Sequence, residues 1–230
     1  MLATPVVRSD RTVVYGSGTT VMAVSSETGA VVWKFRTGGL PLLTSPTLDD
    51  NGDVYITTNL PAQTVFALHG GSGTLKWKFV DGGSDSSCRT NVPLYWNGVV
   101  YWSCSHVYGF RADTGATLFA IPVTGDVSSG LAIGWDGVVF AASTTVVTAR
   151  GSTGALLWAK NAPTNFYPFN ALLSDGVVYA FGQGLLAYEA ATGALLWQND
   201  NPESCGGALG ALPLLPTCCI CAQCMWRVVP

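Results

Sequence analysis

At 230 residues the chain is long enough for one domain with a sizeable core, and its net charge of −3, with no basic stripe or run of like charge, excludes a nucleic-acid partner. Charged residues are 11% of the chain, far below the usual share of about 25%, while 27 glycines and 48% hydrophobic residues fit packed sheets joined by tight turns. The opening Met1-Leu2-Ala3-Thr4-Pro5 lacks the basic region and apolar core of a secretory signal and reads as a first strand. The chain is therefore expected to stay where it is made or to be cut from something longer, the second being favoured.

In chain order the predicted elements are short strands that recur. Val13-Val14-Tyr15 precedes a strand over residues 20–24, a Thr28-Gly29 turn and a strand ending at Trp33. The second repeat has Val54-Tyr55, a longer loop around Leu60-Pro61-Ala62-Gln63, then Ser72-Gly73 and Trp77. The third has Val99-Val100-Tyr101, Thr114-Gly115 and Phe119, and the fourth Val138-Val139-Phe140, Thr153-Gly154 and Trp158. The fifth has Val177-Val178-Tyr179, a strand over 185–188, Thr192-Gly193 and Trp197. Successive repeat glycines are 44, 42, 39 and 39 positions apart, and the aromatic lies 14 positions before the glycine in every repeat but the second, where it lies 18 before. β-Branched and aromatic residues suit a pleated, half-buried surface, and the runs are too short for helices.

Asn51-Gly52, Asn97-Gly98, Asp136-Gly137 and Asp175-Gly176 precede four of the Val-rich runs. They predict two-residue hairpins of type I′, whose central residues need positive φ. The first repeat has Arg11-Thr12 there, so its turn must differ. Four strands in about 40 residues make one propeller blade, which must stack against neighbours to bury both faces.

The predicted fold is therefore all-β: a β-propeller of four-stranded antiparallel blades, five recognisable, with a partial sixth opening near Cys205. The blades span about 1–36, 37–80, 81–122, 123–162 and 163–199, and residues 200–230 form a Cys-rich tail or degenerate partial blade. The recurrent Trp supplies a flat surface at each seam and an N–H that needs an acceptor. Phe119 has no N–H, so the third seam should lack one hydrogen bond. The array closes as a small ring, stays an open arc, or is completed by another chain; an open arc invites self-association through its edges.

These residues resemble the PQQ-like, quinoprotein-type propeller repeat with its tryptophan-docking pattern A-x-D-x-x-T-G-x-x-x-W. Residues 187–197 and 23–33 match it closely, and the resemblance covers roughly residues 1–199. The acidic position holds Ser25, His69, Arg111, Arg150 and Glu189, of which one is acidic. The resemblance implies a seven- or eight-bladed propeller and admits two activities. One is a non-catalytic scaffold of the BamB type. The other is a quinone-dependent dehydrogenase using PQQ with calcium and a general-base Asp. Asp113, Asp126 and Asp175 all fall where turns are expected, so no base is assigned. Bacterial members are typically extracytoplasmic; without a signal peptide no compartment follows.

Five of the seven cysteines fall between positions 205 and 224. Cys218, Cys221 and Cys224 have two-residue gaps that admit a zinc or iron–sulfur site, with Cys205 or Cys219 as the fourth ligand. Adjacent Cys218-Cys219 is similar to the vicinal disulfide over the quinone in some members of the family. Residues 204–226 carry no charge, but Pro213, Pro216, three glycines and Gln223 make them a poor membrane helix; palmitoylation is a further reading. The plain reading is a weakly structured end with unemployed thiols.

The Asn97-Gly98 hairpin sets Cys104 opposite Asn91, which predicts separate thiols at Cys88 and Cys104. His69 and His106 have no cluster of acidic or thiol residues nearby in sequence and are expected to be surface or structural. Asp49, Asp50, Asn51 and Asp53 miss the EF-hand spacing and read as hairpin residues. No nucleophile-elbow, phosphate-loop or zinc-protease motif is present. Together these readings favour a non-catalytic scaffold that binds protein or peptide on a propeller face, with no cofactor. The alternatives are a quinoprotein dehydrogenase or fragment of one, and a thiol–metal site in the tail.

Overall fold

The computed structural model describes residues 4–42, 44–58, 63–82, 91–122, 131–134, 136–143, 146–161, 170–181 and 184–199. They form five four-stranded antiparallel sheets. Blade 1 comprises β1 (Val6–Val7), β2 (Thr12–Ser17), β3 (Thr20–Ser25) and β4 (Val31–Arg36). Blade 2 comprises β5 (Thr47–Leu48), β6 (Val54–Thr57), β7 (Thr64–Leu68) and β8 (Leu75–Val80). Blade 3 comprises β9 (Leu94–Trp96), β10 (Val99–Ser103), β11 (His106–Arg111) and β12 (Thr117–Pro122). Blade 4 comprises β13 (Ala132–Ile133), β14 (Val139–Ala142), β15 (Val146–Arg150) and β16 (Leu156–Asn161). Blade 5 comprises β17 (Asn170–Ser174), β18 (Val177–Phe181), β19 (Leu185–Glu189) and β20 (Leu195–Asn199).

In each blade the strands pair in sequence order, so every connection within a blade is a hairpin. The middle strands are the apolar runs, and β6 and β7 are buried along their whole length because both faces meet a neighbouring blade. The outer strands are mostly exposed except for the docking Trp, as in β4 and β16. The core therefore lies in the seams. One buried cluster joins Val14, Val21 and Trp33 of blade 1 to Val54, Ile56, Phe66 and Leu68 of blade 2. Others join blade 2 to blade 3, blade 3 to blade 4 and blade 4 to blade 5.

The first hairpins divide into two kinds, where the sequence predicts one. Asn97 (φ 47°) and Gly98 (φ 79°), and Asp175 (φ 50°) and Gly176 (φ 74°), are two-residue turns with both residues left-handed. In blade 2 the register Leu48↔Val54 leaves five residues between the strands, and Gly52 but not Asn51 has positive φ. Blade 4 follows blade 2, with Ile133↔Val139 and the Gly137 amide bonded to the Gly134 carbonyl. Asn51-Gly52 and Asp136-Gly137 therefore end longer turns, because the strand before them pairs further out. Arg11 (φ 65°) occupies the glycine place in blade 1, with its amide on the Arg8 carbonyl as Gly52 bonds Asp49. Register also shows that Val14, not Tyr15, is the blade 1 counterpart of Tyr55, Tyr101, Phe140 and Tyr179: each of these pairs with the residue facing the docking aromatic.

Candidate interaction surface

Adjacent blades dock through one recurring device. The indole N–H of Trp33 donates to the Gly70 carbonyl at 2.7 Å, that of Trp77 to Ala112 at 2.9 Å, and that of Trp158 to Ala190 at 2.8 Å. Each acceptor belongs to the next blade and stands three residues before its turn glycine. The ring lies on that glycine. A Cβ on Gly73, Gly115 or Gly193 would come within 2.4, 2.6 and 2.6 Å of it, so the close approach excludes any side chain. At the second seam the Tyr55 hydroxyl adds a bond to Ala112 O at 3.1 Å and another to Asp49 at 3.0 Å.

The third seam departs from this pattern in both partners. Phe119 has no N–H to donate. The receiving turn of blade 4 is also one residue short: Trp158 pairs with Ala149, whereas Trp33, Trp77, Phe119 and Trp197 pair with Ala23, Ala67, Gly109 and Ala187, one residue further back. The amides of Ser25, His69, Arg111 and Glu189 bond the carbonyls of Ala30, Thr74, Ala116 and Ala194, and in blade 4 the matching bond is Gly151 to Ala155. Gly151, not Arg150, thus holds the acidic position of the motif. The missing residue is the one that follows it, whose carbonyl receives the indole elsewhere. The Tyr101 hydroxyl, counterpart of Tyr55, is left buried without a hydrogen-bond partner. The Phe119 ring lies against both Gly109 of its own blade and Gly154 of the next, where an added Cβ would come within 2.4 and 2.8 Å of it.

The device is incomplete at both ends of the described array. Trp197 is 44% exposed, against 7–8% for Trp33, Trp77 and Trp158. It lies tilted against Tyr179 of its own sheet, with ring centroids 5.9 Å apart. All of β20 is exposed and uncharged. On blade 1, Gly29 is exposed, and among the described residues nothing lies within 4 Å of its Cβ position. The blade 1 face on that side carries Val7, 63% exposed, with Val13, Tyr15, Met22 and Val24 partly exposed. Around the rim, each outer strand leaves aliphatic residues in solvent: Val31 and Val32, Leu75, Leu118, Leu156 and Leu157, Leu195 and Leu196.

The predicted site residues disperse. Asp49 is a hairpin residue: its carboxylate accepts the amides of Asn51 and Asp53 at 2.9 and 2.8 Å. Asp53 pairs with Lys76 at 2.7 Å, and His69 Nδ1 lies 3.9 Å away. Burial raises the Asp53 pKa, but the Lys76 hydrogen bond, the Gly70 amide and the nearby positive charge outweigh it and hold the carboxyl below its ordinary value. Burial, then the Asp49 charge, push the Tyr55 hydroxyl far upward. Asp113 is exposed and pairs with Arg111 at 3.2 Å, and Asp175 is a turn residue.

His106 enters a polar cluster that sequence distance concealed. Ser105 Oγ donates to Asp81 at 2.9 Å and lies 2.9 Å from His106 Nδ1, and the Tyr108 hydroxyl bonds Asp81 at 3.1 Å. Asp81 follows β8 while the others belong to the β10–β11 hairpin, so the cluster ties blade 2 to blade 3. The carboxylate faces the serine and tyrosine rather than the imidazole, which is not the order of a nucleophilic relay.

Cys104 corrects the expectation of separate thiols: it is disulfide-bonded. It lies beyond the end of β10, so the hairpin register does not decide what its sulfur meets. Cys88, Asp126 and all residues of the tail, including Cys205, Cys218, Cys219, Cys221 and Cys224, lie outside the described residues. Among the described residues no three His, Cys, Asp or Glu side chains gather as metal ligands, and no helix is long and apolar enough to cross a membrane.

Residues 2–125 and 103–215 match the family described as outer membrane protein assembly factor BamB. The chain belongs to that family. Among solved structures, this BamB-family chain is similar to BamB from Moraxella catarrhalis, with a TM-score of 0.72 and 18% identity over 84% of this chain and 62% of that one. It is similar to the computationally designed Ika8 protein, with a TM-score of 0.71 and 17% identity over 88% of this chain and 62% of that one. It also resembles a quinohemoprotein alcohol dehydrogenase from Pseudomonas putida, with a TM-score of 0.61 and 16% identity over 86% of this chain and 41% of that one. The chain thus spans about three-fifths or less of the length of these structures. Comparison with curated proteins found no match.

Proposed function

We propose that this BamB-family chain is a non-catalytic scaffold that binds a protein or peptide. The observation that supports this reading is the exposed aliphatic belt on the rim, from Val31 and Val32 of β4 to Leu195 and Leu196 of β20. The adjacent aliphatic pairs left in solvent on β4, β16 and β20 offer apolar surface that a partner can cover. Each outer strand ends its sheet, so it also offers one free hydrogen-bonding edge. An extended partner segment can pair with such an edge while its apolar side chains cover the belt.

Selection of displayed random peptides on the immobilised chain tests this. Extended apolar peptides should be enriched, and their affinity should fall roughly tenfold or more with Leu157→Glu or Val32→Glu. Binding indifferent to both changes would sink the proposal. The dehydrogenase alternative needs a quinone and calcium held by carboxylate and amide oxygens. Native mass spectrometry with added PQQ and Ca²⁺ separates the two: uptake of one quinone with one calcium would favour the enzyme.

A further inference from the structure

We propose that two copies of this chain associate head to tail, with Trp197 of one copy entering the open dock on blade 1 of the other. At three seams a Trp in the outer strand of one blade reaches a carbonyl three residues before a left-handed glycine in the next. The described array carries one example of each half that is not engaged in a seam. Trp197 follows Leu195-Leu196 as Trp158 follows Leu156-Leu157, and it is half exposed where its counterparts are buried. Gly29 has φ 70°, matching 69°, 73° and 68° at Gly73, Gly115 and Gly193.

The blade 1 turn also has the full length. Its Ser25 amide bonds Ala30, its Gly29 amide bonds Ser25, and Ser26 occupies the acceptor place that blade 4 lacks. The Trp197 indole N–H would donate to the Ser26 carbonyl with its ring over Gly29. Leu172, Tyr179 and Trp197, paired across blade 5, would then cover Val7, Val13, Tyr15, Met22 and Val24 of the second copy. Charge does not oppose this. β4, β8 and β16 carry Lys34, Lys76, Lys78 and Lys160, the residue type that guards exposed strands, whereas β12 and β20 carry no charge. The occupant is a second copy because the same chain carries both complementary halves. Such a contact is heterologous, so one junction leaves a free end on each copy and permits further addition.

Sedimentation velocity and native mass spectrometry of the 230-residue chain, across the micromolar range, test this. The wild type should show concentration-dependent association. Trp197→Ala removes the inserted group, and Gly29→Asn fills the dock with a residue that tolerates the left-handed region. Each alone should weaken association roughly tenfold or more. Mixed in equal amounts they should form a one-to-one dimer that grows no further, since one retains the dock and the other the tryptophan. Leu172→Lys, on the same face as Trp197, replaces Trp197→Ala if circular dichroism shows that variant unfolded. A wild type that stays monomeric, association indifferent to both variants, or a mixture that fails to pair overturns the proposal. So does loss of association on removing residues 200–230, which would make the tail the occupant.

Discussion

Tyr55 and Tyr101 hold matching places in neighbouring blades, yet one hydroxyl has two acceptors and the other none. Losing a hydroxyl that is bonded costs about 1 kcal/mol, whereas removing a buried one without a partner costs little or stabilises. Urea unfolding should therefore show Tyr55→Phe destabilised by about 1 kcal/mol and Tyr101→Phe unchanged or more stable. The missing bond at Phe119 was legible in the sequence, because phenylalanine cannot donate. The shortened turn beyond it was not. Phe140 pairs with Ala149, nine positions on, whereas Tyr101 and Tyr179 pair with Gly109 and Ala187, eight positions on. The extra residue in one hairpin cancels the missing one in the next, so the spacing from aromatic to glycine stays the same. Asp53 gives a second test at this scale. Its folded-state pKa lies below the unfolded value of about 3.9. Its contribution is present above that pH and is lost as pH falls through the folded value. Between pH 5 and pH 2 the melting temperature of Asp53→Asn should fall less than that of the wild type.

At the scale of elements, the dipeptide Asn-Gly serves two turns. Asn97 is left-handed in a two-residue hairpin, whereas Asn51 is not and precedes a glycine that is. Local residue preference marked both as turns but could not choose between them, because the pairing of the preceding strand sets the loop length. Asn97→Ala should therefore cost about 1 kcal/mol in equilibrium unfolding, through the penalty on a left-handed alanine. Asn51→Ala should cost distinctly less. Most strands were legible, since Val-rich runs, an aromatic and a turn glycine recur in all five blades; the first was not, because β1 is Val6–Val7 rather than the opening five residues, and Thr4 and Pro5 lie outside it. The Asp81–Ser105–His106–Tyr108 cluster was not, because a contact between blades leaves no mark in local spacing.

At the scale of the molecule, the five stacked sheets depend on seams that differ in strength. Among the described residues, the seam between blades 3 and 4 has five buried apolar members in its cluster, against nine or ten at the other seams. It also lacks the indole bond and strands a hydroxyl. Such repeat arrays are stabilised chiefly by nearest-neighbour interfaces, so a weak interface divides their cooperativity. The chain should accordingly unfold as two blocks, blades 1–3 and blades 4–5. Native-state hydrogen exchange should report a lower opening free energy for β14, β15, β18 and β19 than for β6, β7 and β10, with uniform protection as the contrary result. The Phe119 side chain and the shortened turn that receives it together set a fracture line: under pulling force the array should part between Phe119 and Gly154 before any blade comes apart.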